Sequence, residues 1–231
     1  MQLAASVGTD AAAAAPAACL PEHVELAHRL ADAAAAITTR YFRTPVPVDV
    51  KLDASPVTIA DRKPLFGTLI ALLHRGEPVL GIIDQPILKE RWVGVAGQRS
   101  TLNGQPISTR ECGAVGDAYL YATTPHMFAG DTEAAFNRVR DAVRIPMYGC
   151  DCYAYGLLAA GYCDLVVEAD LKPYDYMALV PVIQGAGGVV TDWRGQPLRW
   201  QGDVAACSGE VVAAGDARAH QQALELLQWK Q

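Results

Sequence analysis

VVEADLKPYDYMALVPVIQGAGG, residues 166–188, is the stretch on which the reading of this chain turns. An apolar run ends on a carboxylate, Glu168; a Lys-Pro-Tyr-Asp segment then opens an apolar helix, which Gly187-Gly188 closes. A strand feeding a helix in this way is a unit of a layered α/β fold. The pattern sets Asp175 at the start of the helix, where a side-chain oxygen accepts first-turn amides and where the helix end attracts anions. A cation and a phosphoester are therefore expected to meet there, with Glu168 facing the same pocket. Taken alone, the same residues also describe an ordinary capped helix after a strand.

Outward from this stretch the alternation continues. Toward the C-terminus come a strand over 189–192, a turn at Trp193-Arg194-Gly195, a strand over 211–214 and a closing helix over 217–229. Toward the N-terminus lie a strand at 165–168, a short helix at 155–160, a helix at 132–143 and a strand at 119–123. The first half is mostly sheet. An amphipathic helix over 21–42, with Val24, Ala27, Leu30, Ala31, Ala34, Ile37 and Tyr41 at helical spacing, ends before Pro45 and Pro47. An exposed strand over 48–53, a buried hairpin built from 65–73 and 79–83 around a turn at 74–78, a strand at 91–95 and an Asn103-Gly104 turn follow. No repeat or linker interrupts the pattern, so the expected organisation is a leader over 1–20 and one domain over 21–231, with halves 21–125 and 126–231.

Composition narrows the function classes. With 51% hydrophobic and 19% charged residues, the 231-residue chain can bury a substantial core. Its formal net charge is −6 with no Lys/Arg cluster, which argues against nucleic-acid and anionic-membrane partners. A small anionic substrate would then need a local cation, which a metal supplies. The six cysteines lie in apolar or small-residue surroundings, and Cys150-Asp151-Cys152 has neither redox-pair nor zinc-site spacing, so reduced thiols are expected. The alanine-rich start lacks Lys, Arg and an apolar core segment, and a cytoplasmic location is the expectation.

Several segments together resemble the inositol monophosphatase superfamily, and its histidinol-phosphate phosphatase branch most. Residues 55–62 (SPVTIADR) resemble its Pro-Val-Thr-x-Ala-Asp-Arg motif; Pro64-Leu65-Phe66-Gly67-Thr68 and Asp84-Gln85-Pro86 resemble its central hairpin; Gly149-Cys150-Asp151-Cys152-Tyr153-Ala154-Tyr155 resembles its substrate-side loop; Leu171-Lys172-Pro173-Tyr174-Asp175 completes the set. The resemblance implies an αβαβα sandwich of the inositol monophosphatase and fructose-bisphosphatase type and hydrolysis of L-histidinol phosphate in histidine biosynthesis. It implies Mg²⁺ as cofactor, with Asp175 and Asp61 as metal-site carboxylates, and Glu168, Asp151 and Gly149 on the substrate side. Asp151 would meet the substrate's amino group. A homodimer is the implied assembly, and inositol 1-phosphate is the alternative substrate.

One departure is large. Between Asp61-Arg62 and Lys63-Pro64 the family carries several dozen residues with a Gly-Glu-Glu and an Asp-Pro-Ile-Asp-Gly-Thr motif, and this sequence has neither. Those motifs would supply most metal carboxylates and the water-orienting Thr, so no catalytic residue is assigned. The expectation is an incomplete first sheet and an impaired or inactive chain, the alternative being a homologue that only binds or associates.

Overall fold

The computed structural model describes residues 19–43, 48–50, 56–58 and 67–229; Asp61 and the motif around it lie outside these residues. Helix α1 (Pro21–Tyr41) is followed by strands β1 (Val48–Val50) and β2 (Pro56–Thr58), an antiparallel pair. Strands β3 (Thr68–His74), β4 (Glu77–Gln85), β5 (Glu90–Val95), β6 (Thr101–Leu102) and β7 (Gln105–Pro106) form an antiparallel meander in chain order. The second half runs β8 (Tyr119–Ala122), α2 (Asp131–Ala142), β9 (Ile145–Tyr148), α3 (Cys152–Ala159), β10 (Leu165–Glu168), α4 (Pro173–Tyr176), α5 (Leu179–Gly185), β11 (Val189–Thr191), β12 (Val211–Ala214) and α6 (Ala217–Leu227). Its sheet has the order β11-β12-β10-β8-β9, with β8 parallel to both β9 and β10.

Side-chain alternation shows the layering. On β10, Leu165 and Val167 join a core with Phe136, Val139 and Leu227 from α2 and α6, while Val166 joins a core with α3 and α5. Strand β4 divides likewise: Leu80 and Ile82 meet Ala27 and Ala31 of α1, and Ile83 faces the helices between the sheets. The order is therefore α1, first sheet, α3 to α5, second sheet, α2 with α6, the expected αβαβα sandwich. Strands covered on both faces read as continuous apolar runs, which is why 79–83 and 165–167 show no polar alternation.

Close packing of the central helices on the first sheet depends on glycine. Gly81 and Gly94 are cross-strand partners on β4 and β5. A Cβ on Gly81 would stand 1.8 Å from the Ala178 carbonyl oxygen, and one on Gly94 would stand 2.3 Å from the Val182 nitrogen. The backbone of α5 thus rests on a side-chain-free patch of sheet.

Several expectations need correction. The hairpin turn is two residues, Arg75 and Gly76, both at positive φ as a tight right-twisted hairpin requires. Strand β3 is not buried: it is the edge of the meander, and its residues are exposed or half-buried. Helix α1 buries only Ala27 and Ala31, leaving Leu30 50% and Ile37 58% exposed, so much of its apolar stripe has no cover among the described residues. Strand β9 was not expected, because Pro146 and the adjoining Arg144 mask a short edge strand.

His220 of α6 is a buried titratable group away from the central helices. Its Nε2 lies 2.9 Å from Thr191 Oγ1, whose own proton goes to the Asp192 carbonyl, so the ring nitrogen is the donor. Burial lowers its pKa from 6.5 to about 4. The unfolded chain then binds more protons between those values, and stability falls as pH drops through that window, by up to about 3 kcal/mol. Urea unfolding at pH 7 and pH 4.5 should show that loss, and His220→Gln should remove it; an unchanged pH response in the variant would contradict this account.

Candidate active site

Three parallel strands end side by side. Because β10, β8 and β9 are adjacent and parallel, Glu168, Thr123 and Gly149 emerge at one edge of the second sheet, the crevice beyond the strands' carboxyl ends where α/β sheets hold ligands. Asp151 follows Gly149 by two residues, and Asp175 follows β10 on α4.

Glu168 continues the alternation of Val166, so its side chain enters the layer between the sheets. It is 2% exposed. The Thr123 backbone N–H donates to its Oε1 at 2.8 Å, and the Tyr155 hydroxyl donates to its Oε2 at 2.8 Å. Burial raises its pKa above the ordinary carboxylate value; hydrogen bonds from the Thr123 hydroxyl, the Tyr155 hydroxyl and the Thr123 amide partly offset that, and the neighbouring Asp151 charge adds to it. No Lys, Arg or His among the described residues forms an ion pair with it.

Asp151 sits at φ 46°, ψ −140°, an uncommon conformation for a residue other than glycine. It precedes α3 without capping it. Gly149, at φ 96°, makes the turn into this loop, and its N–H is committed to the Ala122 and Thr123 carbonyls. Its part is conformational, since a left-handed turn is open to glycine without strain, and its amide is not offered to a ligand.

Asp175 is the third residue of α4 rather than its cap, and its Oδ2 accepts the Lys172 backbone N–H at 2.8 Å. It satisfies the helix start from inside, the reverse of the expected bonding. Burial raises its pKa, with the Lys172 amide opposing the shift. Met177 and Ala178 keep helical backbone between α4 and α5, and Gly187 at φ 94° ends the run, as the Gly-Gly pair implied.

The charges of these carboxylates act on one thiol. The pKa of Cys152 is pushed up to about 12, first by burial and then by Asp151, Glu168 and Asp175 together. The same thiol abuts Gly67: a Cβ there would lie 2.1 Å from Cys152 Sγ, so the chain entering the first sheet meets the start of α3 at this point. The sequence-predicted residues Glu168, Asp151, Gly149 and Asp175 thus gather at one place, while Asp61 lies outside the described residues. Tyr155 and Thr123 were not anticipated as its supports; only the shared parity of Val166 and Glu168 hinted at a partner in the helix layer. A cavity of about 610 Å³ lined by His28, Asp84, Arg91 and Arg99 lies on the far face of the first sheet, apart from these carboxylates.

The sequence profile described as "Inositol monophosphatase family" matches residues 59–230, most of the chain. The chain belongs to the inositol monophosphatase family. The family is one of metal-dependent phosphatases, and its members act on small phosphorylated substrates. Among its relatives, the Bifunctional phosphatase IMPL2, chloroplastic, of Arabidopsis thaliana is 46% identical, across 91% of this chain and 76% of the relative. A Histidinol-phosphatase of Chlorobaculum parvum is 28% identical across 58% of this chain, which spans only 52% of that protein. A solved inositol monophosphatase from Zymomonas mobilis, described for a flexible region at its active site, superposes with a TM-score of 0.81 at 41% identity, over 90% of this chain and 98% of that one.

The described residues do not by themselves fit the family's metal. Among them no group of three or more His, Cys, Asp or Glu side chains is placed to hold an ion. Asp175 offers one carboxylate, with one oxygen already bonded to Lys172.

Proposed function

We propose that this chain is a phosphomonoesterase-type protein directed at L-histidinol phosphate, with substrate recognition retained and the metal site incomplete. The observation carrying this reading is the pair of carboxylates at the sheet edge: Glu168, buried and without a cationic partner among the described residues, and Asp151 close enough to raise its pKa. A buried carboxylate that its neighbours bond without neutralising is costly, and a cationic guest relieves that cost. The ammonium of an amino alcohol answers that need, and a neutral polyol does not. The names of the Arabidopsis and Chlorobaculum relatives are compatible with it.

In this reading Mg²⁺ is the ion, held by Asp175 with Asp61. The ion would neutralise phosphate oxygens when bound, although the described carboxylates alone do not complete its site. In this reading the missing segment lies after Arg62; that the relative carries additional residues fits the pairing with the Arabidopsis phosphatase, which runs over 263 positions although this chain has only 231 residues. Among the described residues β3 has no partner on its outer edge and part of the apolar face of α1 has no cover, which also fits such a gap, and a homodimer would form on these surfaces.

A second reading, inositol 1-phosphate as substrate, is favoured by the Zymomonas mobilis structure. Thermal unfolding with each ester, beside phosphate release across a Mg²⁺ titration, separates them. L-Histidinol phosphate should raise the melting temperature, inositol 1-phosphate should raise it little, and neither should be hydrolysed above the buffer blank. Equal protection by both would overturn the substrate assignment. Mg²⁺-dependent release abolished by Asp175→Asn would overturn the impairment.

A further inference from the structure

We infer that Tyr155 is a positioning residue for substrate selectivity: its hydroxyl holds the Glu168 carboxylate in one orientation, ready for the ammonium of an amino-alcohol phosphoester. The inference rests on the reading of Glu168 and Asp151 as the amine-binding side of the site.

The geometry is specific. A carboxylate has about four lone-pair positions, and among the described residues two neighbours donate to this one: Thr123, through its N–H at 2.8 Å and through its hydroxyl, and Tyr155, through its O–H at 2.8 Å on the other oxygen. Both donors are neutral. They fix the plane of the carboxylate without neutralising it, which leaves its negative charge for a guest. An Arg or Lys in place of Tyr155 would fix the carboxylate equally well and cancel the charge that an ammonium must meet.

The support is rigid. Tyr155 is 1% exposed, on α3 between the sheets, packed with Leu158, Val166, Tyr176 and Val182. Its ring cannot swing away without opening the core. Thr123 is fixed by its place after β8. Across the site, Asp151 adds a second negative charge near the same carboxylate. A tyrosine hydroxyl is therefore placed to control which way Glu168 presents its free electron pairs. In this role it acts through Glu168 and not on the phosphate.

A merely structural role for Tyr155, pinning α3 to β10, predicts a different outcome, and ligand selectivity separates the two. The experiment is calorimetric titration of the full chain with L-histidinol phosphate and with its deamino analogue, the same phosphoester lacking the amine. The proteins are the unmodified chain, Tyr155→Phe, Glu168→Gln and the double variant. Tyr155→Phe should weaken L-histidinol phosphate by about tenfold, the size expected for one hydrogen bond to a charged group, and should change the analogue by less than about twofold. In the Glu168→Gln background, Tyr155→Phe should add less than about twofold more. Binding of the analogue also reports that each variant is folded.

Equal weakening of both ligands by Tyr155→Phe would overturn the inference in favour of a structural pin. So would a full tenfold effect in the Glu168→Gln background. If the unmodified chain distinguishes the two ligands and Tyr155→Phe distinguishes them equally well, this inference alone fails. If the unmodified chain does not distinguish them, or binds neither, the amine-subsite reading fails first.

Discussion

Inserting a family-like segment between Arg62 and Lys63 is expected to raise Mg²⁺-dependent phosphate release from L-histidinol phosphate by about 10³-fold or more over the chain as it stands. The estimate follows from electrostatics. Loss of a single oxyanion donor typically costs about 10²- to 10³-fold, and a metal clamp on a transferring phosphoryl group contributes at least as much. Two divalent ions about 4 Å apart repel by roughly 4 kcal/mol even at the dielectric of water, so bridging carboxylates have to hold them together. Among the described residues only Asp175 is placed for that work, and no cluster of three ligating side chains exists. The measurement is single-turnover phosphate release with and without the insert, at matched protein and Mg²⁺. Equal rates above the buffer blank would mean that other carboxylates complete the site, and release at the blank level from both proteins would mean that the insert does not restore it; either result would contradict the account of the gap.

The second large effect concerns stability. Gly94→Ala should destabilise the fold by about 3 kcal/mol, the upper part of the range for overpacking a closed core. The new methyl would stand 2.3 Å from the Val182 nitrogen and 2.4 Å from the Pro181 carbonyl oxygen, both backbone atoms that no side-chain rotation can move. Relief requires α5 to lift off the first sheet, and α5 continues α4, which carries Asp175. Gly81→Ala, 1.8 Å from the Ala178 carbonyl oxygen, should behave alike. Gly116→Ala is the control: its Cβ would approach only the Ala142 carbonyl oxygen, at 3.8 Å, so its unfolding midpoint should stay within about 0.5 kcal/mol of the parent. Denaturant unfolding monitored by tryptophan fluorescence decides it; a Gly94→Ala protein with the parent midpoint would show that the sheet and helix are not in the close contact described.

The two glycines also show where sequence reasoning stops. VLGII and RWVGV read correctly as strands, because short apolar runs with β-branched residues between turn signals favour sheet. Nothing local marks Gly81 and Gly94 as opposite each other, or as the seat of a helix from a hundred residues away. The helix over 173–185 was legible from its apolar run and Gly-Gly stop, while the place of Asp175 inside its first turn was not. A Pro173 start and a Pro181 near the middle leave the exact cap open to several registers.

The site follows the same rule. Glu168, Asp151, Gly149 and Asp175 are separate marks along the sequence, and only the parallel order β10-β8-β9 brings their strand ends together. Tyr155 was visible as one of several aromatics in an apolar helix, and its hydrogen bond to Glu168 belongs to tertiary packing of α3 on β10. Helix α1 shows a related limit: its apolar spacing marks an amphipathic helix, and among the described residues nothing covers Leu30 and Ile37, because periodicity reports which face wants cover and not what supplies it.

The most direct test of substrate recognition at this edge is the ratio of specificity constants for L-histidinol phosphate and inositol 1-phosphate, measured on the chain carrying the inserted segment. A cationic guest between Asp151 and Glu168 predicts a preference of about tenfold or more for L-histidinol phosphate, reduced toward unity by Asp151→Asn. A preference for inositol 1-phosphate, or a ratio that Asp151→Asn leaves unchanged, would contradict the account.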